Sequence, residues 1–162
     1  SDTFENTYSA GTLKISKTVT GNMGDKNKYF EFTVLLSGRS GMTYPETFAV
    51  SGGSYAQNPT TIKLSEETTF MLKHGDTISI ANLAYDVDYM VIEMAADGYT
   101  TTSTNETGRI SAAEQTAAFT NVKNSAVDTG VMLDSLPYVL ILAAVLGVAA
   151  AMVVRRRRGA ED

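Results

Sequence analysis

The sequence contains no cysteine and no tryptophan, only three prolines, and a single histidine, His74. Without cysteine, neither a disulfide nor thiol chemistry is available to this chain. One histidine excludes the usual histidine-based metal sites and argues against a Ser-His-Asp triad. No glycine-rich phosphate-binding loop follows a predicted strand. The composition therefore predicts no metal and no cofactor, and it argues against an enzyme with a conventional active site.

Helical patterns are also nearly absent before residue 136. Threonine, valine, tyrosine and phenylalanine instead recur in short stretches separated by turn residues, which is typical of β-strands. The predicted strands are residues 12–20, 28–37, 48–50, 62–64, 69–73, 77–83, 89–94, 99–104 and 117–122. Many short strands separated by turns indicate an all-β sandwich, and we assign it to residues 11–124.

The first predicted strand contains one residue that breaks its pattern. Side chains alternate between the two faces of a strand, so Leu13, Ile15 and Val19 share one face. Lys17 falls on this same apolar face. A lysine directed into a core must extend to solvent, pair with an acid, lose its proton or react, and the sequence leaves these alternatives open.

Two further polar residues lie on predominantly apolar strand faces. Glu93 shares a face with Tyr89 and Val91, and Asn121 shares one with Ala117 and Phe119. Taken singly, a strand glutamate is usually at an edge and an asparagine near a strand end is usually a turn residue. Taken together with the misplaced lysine, they suggest a reaction.

The suggested reaction joins Lys17 to Asn121. Burial disfavours the charged form of an amine, and a neutral amine is a nucleophile. The side-chain amide of Asn121 is a carbonyl electrophile. A protonated Glu93 can polarise that carbonyl and carry a proton to the departing ammonia. The product is an isopeptide cross-link, for which Lys17 and Asn121 are the predicted partners and Glu93 the predicted catalytic acid.

The C-terminal part of the chain has the composition of a membrane anchor. Residues 136–154 are uncharged and apolar, and as a helix they would span about 28 Å at ~1.5 Å per residue, close to the ~30 Å hydrocarbon core. Four arginines follow, so the basic tail 155–162 is predicted to be cytoplasmic and the sandwich extracellular. The region before the span is acidic, which argues against a nucleic-acid partner.

Several segments, in this order and spacing, resemble the C-terminal domain of Gram-positive major pilins of the FctA or T-antigen type. Such domains are CnaB-like, reverse-immunoglobulin β-sandwiches. The segments that carry the resemblance are Thr12-Leu13-Lys14-Ile15-Ser16-Lys17, Phe30-Glu31-Phe32, Leu72-Lys73-His74-Gly75-Asp76, Val87-Asp88-Tyr89-Met90-Val91-Ile92-Glu93 and Phe119-Thr120-Asn121. The resemblance implies that the isopeptide lysine is Lys17, the catalytic acid Glu93 and the asparagine Asn121.

The two ends of the chain also fit this resemblance. Residues 1–10 are similar to the end of a preceding domain and its linker, which makes Asn6 the orphan asparagine of that domain. Residues 125–135 are similar to a linker with a sortase motif, with cleavage between Thr129 and Gly130. The sequence departs from the usual motif because Asp128 stands where a proline is expected. The alternative is that this linker is only a polar stalk and the span a permanent anchor.

We therefore expect a structural subunit of a pilus, held by an autocatalytic cross-link and anchored to the cell wall by sortase. Its expected partners are sortase, neighbouring pilin subunits or peptidoglycan, and the membrane through residues 136–154. The alternative is a monomeric anchored adhesin whose sandwich binds a host ligand.

Overall fold

A computed structural model describes residues 9–126, and it contains ten β-strands. No helix occurs between residues 9 and 126, so none there is long and apolar enough to cross a membrane. The strands are β1 (Ala10–Thr20), β2 (Phe30–Ser37), β3 (Phe48–Gly52), β4 (Thr61–Ile62), β5 (Thr68–Leu72), β6 (Thr77–Ala84), β7 (Asp88–Glu93), β8 (Thr100–Thr104), β9 (Thr107–Arg109) and β10 (Glu114–Val122).

The strands form two sheets that enclose one core, and the predicted all-β sandwich is thereby confirmed. One sheet has six strands in the order β4-β3-β6-β1-β10-β8, and the other has four in the order β5-β2-β7-β9. The predicted membrane helix at 136–154 lies outside the described residues.

Strand β1 lies inside the larger sheet. It pairs in parallel with β10 from Thr12 to Thr20, and it pairs antiparallel with β6 on its other edge. The first and last strands of the domain are thus direct neighbours, although about a hundred residues of chain separate them.

The core is built from the alternating apolar faces that the sequence predicts. On β1 the side chains of Leu13, Ile15 and Val19 are fully buried. Phe32 of β2 and Phe70 of β5 approach from the opposite sheet and are also fully buried. Burial of each large apolar side chain stabilises the fold by about 1.5–3 kcal/mol, so this shared face is what holds the two sheets together.

The structure differs from the sequence prediction in two strands. Strand β9 was not predicted, because Thr107, Gly108 and Arg109 are all exposed and carry no apolar alternation. Strand β7 lies between β2 and β9, as expected for an inner strand, but the side chains of Met90 and Ile92 on its outward face are exposed. Although both faces of β7 are largely apolar in sequence, only the inward face is buried.

Candidate functional site

Lys17 is buried in the core of the sandwich rather than extended to solvent. Only 1% of the residue is accessible, since it occupies the inward face of β1 between Ile15 and Val19. Its Nζ atom lies 4.4 Å from the centre of the Phe30 ring and 5.7 Å from that of Phe32. The two rings therefore keep water from the amine on the side of the smaller sheet.

Glu93 reaches this amine from the other sheet. It is the last residue of β7, where it pairs with Phe32 of β2, and its side chain is 2% exposed. Both carboxylate oxygens lie 2.8 Å from Lys17 Nζ. The Lys17–Glu93 pair therefore connects the two sheets through the centre of the sandwich.

Asn121 completes the group from β10 and is fully buried. The parallel register sets Asn121 opposite Val19 and Phe119 opposite Lys17, so Asn121 and Lys17 are diagonal neighbours on one face. Asn121 Nδ2 donates a 2.5 Å hydrogen bond to Glu93 Oε1, the same oxygen that contacts Lys17. One carboxylate oxygen thus contacts both the amine and the amide.

The amide oxygen of Asn121 is buried and has no hydrogen-bond partner. Such atoms are rare in folded proteins, because an unsatisfied buried acceptor costs about 1–3 kcal/mol. A half-turn of the amide about its Cβ–Cγ bond exchanges its nitrogen and oxygen. In that orientation the oxygen faces Glu93, and a protonated Glu93 can donate to it.

Burial lowers the pKa of Lys17 from its ordinary value of 10.5. The hydrogen bond to Glu93 and its negative charge act in the opposite direction, and the effect of burial is the larger one. The neutral form of the amine is therefore more populated here, at a given pH, than on a surface lysine. Transfer of one proton from Lys17 to Glu93 leaves both groups uncharged in this apolar setting.

The lowered pKa of Lys17 predicts a pH dependence of stability in a chain that cannot cross-link. In an Asn121→Ala variant, the unfolded state binds more protons at Lys17 than the folded state at pH values between the two pKa values. The free energy of unfolding should therefore rise with pH towards 10.5. Denaturant titrations at several pH values measure this slope. The same variant also carrying Lys17→Met should lack it, and equal slopes would contradict the prediction.

The aromatic walls of the site were not identified from the sequence as part of it. Phe30 and Phe32 lie on the apolar face of β2. The alternation of that strand predicted their burial but not their position against the amine. Phe119 packs edge-on against Phe32 with ring centres 5.1 Å apart. These contacts come from the opposing sheet, and a pattern within one strand does not reveal them.

Among the six residues singled out in the sequence, three lie together in the core, where Lys17 and Asn121 both contact Glu93. The other three, Asn6, Thr129 and Gly130, lie outside the described residues.

Residues 11–123 match a family described as a domain of unknown function, DUF7601. Two curated relatives come from Streptococcus pyogenes. A protein named pilin, from serotype M1, is 28% identical over 85% of this chain and 46% of its own length. A protein named pilus tip adhesin Cpa is 31% identical over 75% of this chain and 18% of its own length. The chain thus spans less than half of either relative.

Solved structures of two major pilins from Streptococcus pyogenes and of a pilus-presented adhesin resemble this fold. The major pilin has a TM-score of 0.62 at 25% identity, over 72% of this chain and 48% of that one. The major pilin T3.2 has a TM-score of 0.61 at 25% identity, over 70% and 45%. A pilus-presented adhesin, Cpa, has a TM-score of 0.57 at 26% identity, over 72% and 28%.

These matches cover the sandwich that contains the buried lysine, glutamate and asparagine. The chain belongs to the DUF7601 family and carries a domain of the Gram-positive pilin type.

Proposed function

We propose that this chain is a structural subunit of a covalently assembled pilus and that an isopeptide bond between Lys17 and Asn121 stabilises it. The observation that carries the proposal is that a buried amine and a buried amide both contact the same oxygen of one carboxyl group. No metal or cofactor takes part, and the cross-link forms once per molecule, so the protein is not an enzyme.

The reaction begins with a proton transfer within the buried pair. Lys17 gives one proton to Glu93, and the neutral amine attacks Cγ of Asn121. Glu93 donates a hydrogen bond to the amide oxygen, on which negative charge develops in the tetrahedral intermediate. Glu93 then gives its proton to Nδ2 and accepts one from Nζ. The Cγ–Nδ2 bond breaks, ammonia leaves, and the Nζ–Cγ amide remains with one hydrogen on its nitrogen.

Positioning contributes a large part of the acceleration that this reaction needs. Amides are inert to amines in water, but groups held in contact can reach effective concentrations of about 10⁵ M or more. The amine and the amide lie on adjacent strands of one sheet, and Glu93 touches both. Because the reaction need occur only once, even a slow step is sufficient.

The cross-link has a mechanical function. Strands β1 and β10 run in parallel, so the chain enters the domain at one end of the pair, near Gly11, and leaves at the other, near Asn124. Tension along the chain passes through the Lys17–Asn121 bond instead of shearing the hydrogen bonds between the two strands. In a chain without cysteine, this bond takes the place of a disulfide.

Sortase joins the subunit to its neighbours or to peptidoglycan by cleaving between Thr129 and Gly130. The supports are the Thr-Gly pair, the apolar run 136–154 and the arginines after it. The precursor is held in the membrane with its C-terminus in the cytoplasm. The mature protein is extracellular and attached to the wall.

Wall extracts of cells that express the full-length protein test this function. The wild-type protein should give a ladder of covalent polymers, and Thr129→Ala should abolish the ladder and leave the protein in the membrane fraction. Thr104→Ala, an exposed threonine on β8, is the matched control and should leave the ladder unchanged. Continued recovery of the Thr129→Ala protein in the wall fraction would show that sortase does not use this site.

The second candidate function is an anchored adhesin that binds a host ligand. The relative that favours it is the pilus tip adhesin Cpa, which is 31% identical to this chain. The same extracts separate the two functions, because an adhesin displayed singly gives one band and no ladder.

A further inference from the structure

The backbone around Lys17 is held on one edge by a turn rather than by a strand. Strand β6 pairs with β1 only as far as Ser16, which lies opposite Thr77. On the other edge, β10 continues the pairing to Thr20. The residues of β1 from Lys17 onward therefore require another partner on the β6 side.

Residues 73–76, between β5 and β6, provide that partner. The Lys17 N–H donates to the carbonyl oxygen of Asp76 at 3.0 Å, and the Gly75 N–H donates to the carbonyl oxygen of Lys17 at 2.9 Å. The Val19 N–H donates to Nδ1 of His74 at 2.9 Å. The first two bonds use backbone groups that any residue supplies. The third uses a side-chain nitrogen that only residue 74 provides.

The turn is itself rigidly held. Asp76 Oδ2 accepts hydrogen bonds from the Lys73 N–H at 3.1 Å and from the N–H and hydroxyl of Ser54 at 3.3 and 2.8 Å. The Asp76 N–H donates to the carbonyl oxygen of Lys73 at 3.0 Å. Gly75 has a φ of +84°, which a residue with a side chain rarely adopts. His74 therefore projects from a fixed support.

The bond from Val19 acts on the geometry of the reactive pair. Val19 lies opposite Asn121 in the parallel register, two residues beyond Lys17. Holding the backbone at both Val19 and Lys17 fixes the position of β1 at the residues that face the reactive pair. Accepting this hydrogen bond uses the lone pair of Nδ1, which corresponds to the tautomer with its proton on Nε2.

We propose that His74 is a positioning residue for the cross-linking reaction, a role that rests on the proposed Lys17–Asn121 bond. Its Nδ1 atom fixes the β1 backbone at Val19, and thereby keeps Lys17 Nζ within reach of Asn121. His74 does not touch the reacting atoms, so it acts through the strand.

Two substitutions distinguish the effect of the hydrogen-bond acceptor from the effect of the volume of the ring. In His74→Asn the side-chain oxygen can occupy the place of Nδ1 and accept the same bond, whereas His74→Leu fills similar space without an acceptor. Each full-length chain is made by cell-free translation and quenched in denaturant at timed intervals. Cross-linking is followed by the loss of one ammonia and by the faster migration of the linked chain in a denaturing gel. Samples treated briefly with protease before the quench identify the chains that have folded.

Among folded chains, His74→Leu should cross-link more slowly than wild type by about tenfold or more, since small misplacements of reacting groups cost large factors in rate. His74→Asn should restore most of the rate. If His74→Leu does not fold, the smaller acceptor-free variant His74→Ala takes its place. The positioning role would be overturned if the folded acceptor-free variant cross-linked at the wild-type rate. It would also be overturned if His74→Asn cross-linked as slowly as the acceptor-free variant. A wild-type chain that keeps its full mass would overturn the proposed cross-link itself and this role with it.

Discussion

Replacing Glu93 with alanine is expected to leave Lys17 and Asn121 unjoined, so that the chain keeps the full mass of its sequence. The reason is that Glu93 contacts both reacting groups and is the one acid that does so within the described residues. Without it, no group polarises the amide or moves a proton to the leaving nitrogen. Intact mass spectrometry of the variant measures this directly.

The same variant should also melt at a much lower temperature. A cross-link that closes a loop of roughly 100 residues stabilises a fold by about 4–5 kcal/mol in the chain-entropy account. For a domain of this size, each 1 kcal/mol shifts the melting temperature by about 4–8 °C, so a decrease of at least about 15 °C is expected. The buried amine of Lys17, left without its acid, adds to the loss.

Glu31→Ala is the matched control for this experiment. Glu31 lies on β2 of the same sheet, but it is exposed, and its backbone pairs with Met71 of β5 and accepts a hydrogen bond from Met94. It should keep both the cross-link and the melting temperature of the wild type. A Glu93→Ala chain that still lacks one ammonia would remove Glu93 from the mechanism.

Under force, the wild-type domain is expected to resist extension almost completely. The proposed bond shields the residues between Lys17 and Asn121 from tension, and only the short ends outside it can lengthen. In Lys17→Met, which cannot cross-link, unfolding should release the residues between positions 17 and 121. The extended length of the chain should then increase by about 350 Å at ~3.4 Å per residue. Single-molecule stretching of residues 9–126 between two handle domains measures the difference.

Lys14→Met is the control for the force measurement. Lys14 is three residues from Lys17 on the opposite face of β1, where it pairs with Glu114 at the surface. Its replacement should leave the domain inextensible. If the wild-type domain released the long extension that is expected of Lys17→Met, tension would not pass through the proposed bond.

The position of Lys17 on the apolar face of β1 could be predicted from the sequence because strand alternation is a local property. Once residues 12–20 are assigned to a strand, Lys17 must share a face with Ile15 and Val19, and the structure confirms that this face is buried. The same argument places Asn121 on a face with Phe119, and that face is buried as well.

The meeting of Lys17 with Asn121 could not be predicted from local patterns. It depends on β1 and β10 being parallel neighbours, and on the register that sets Val19 opposite Asn121. A shift of β10 by one residue would turn Asn121 to the other face of the sheet. The sequence resemblance implied this pairing, whereas periodicity within each strand contains no information about it.

The support of β1 by His74 was beyond sequence reasoning for a similar reason. Residues 73–76 show only a tight turn, and a lone histidine in a turn predicts no specific contact. The bond from Val19 to His74 arises because β6 begins too late to cover that edge of β1. Contacts of this kind depend on where neighbouring strands end, which is set by the packing of the whole sheet.

The proposed bond between the first and last strands is tested most directly by tandem mass spectrometry of the wild-type chain after proteolysis. We expect a branched peptide in which Lys17 Nζ is joined to Asn121 Cγ, together with an intact chain lighter than its sequence by one ammonia. Separate, unmodified peptides carrying Lys17 and Asn121, from a folded chain of full sequence mass, would contradict the account.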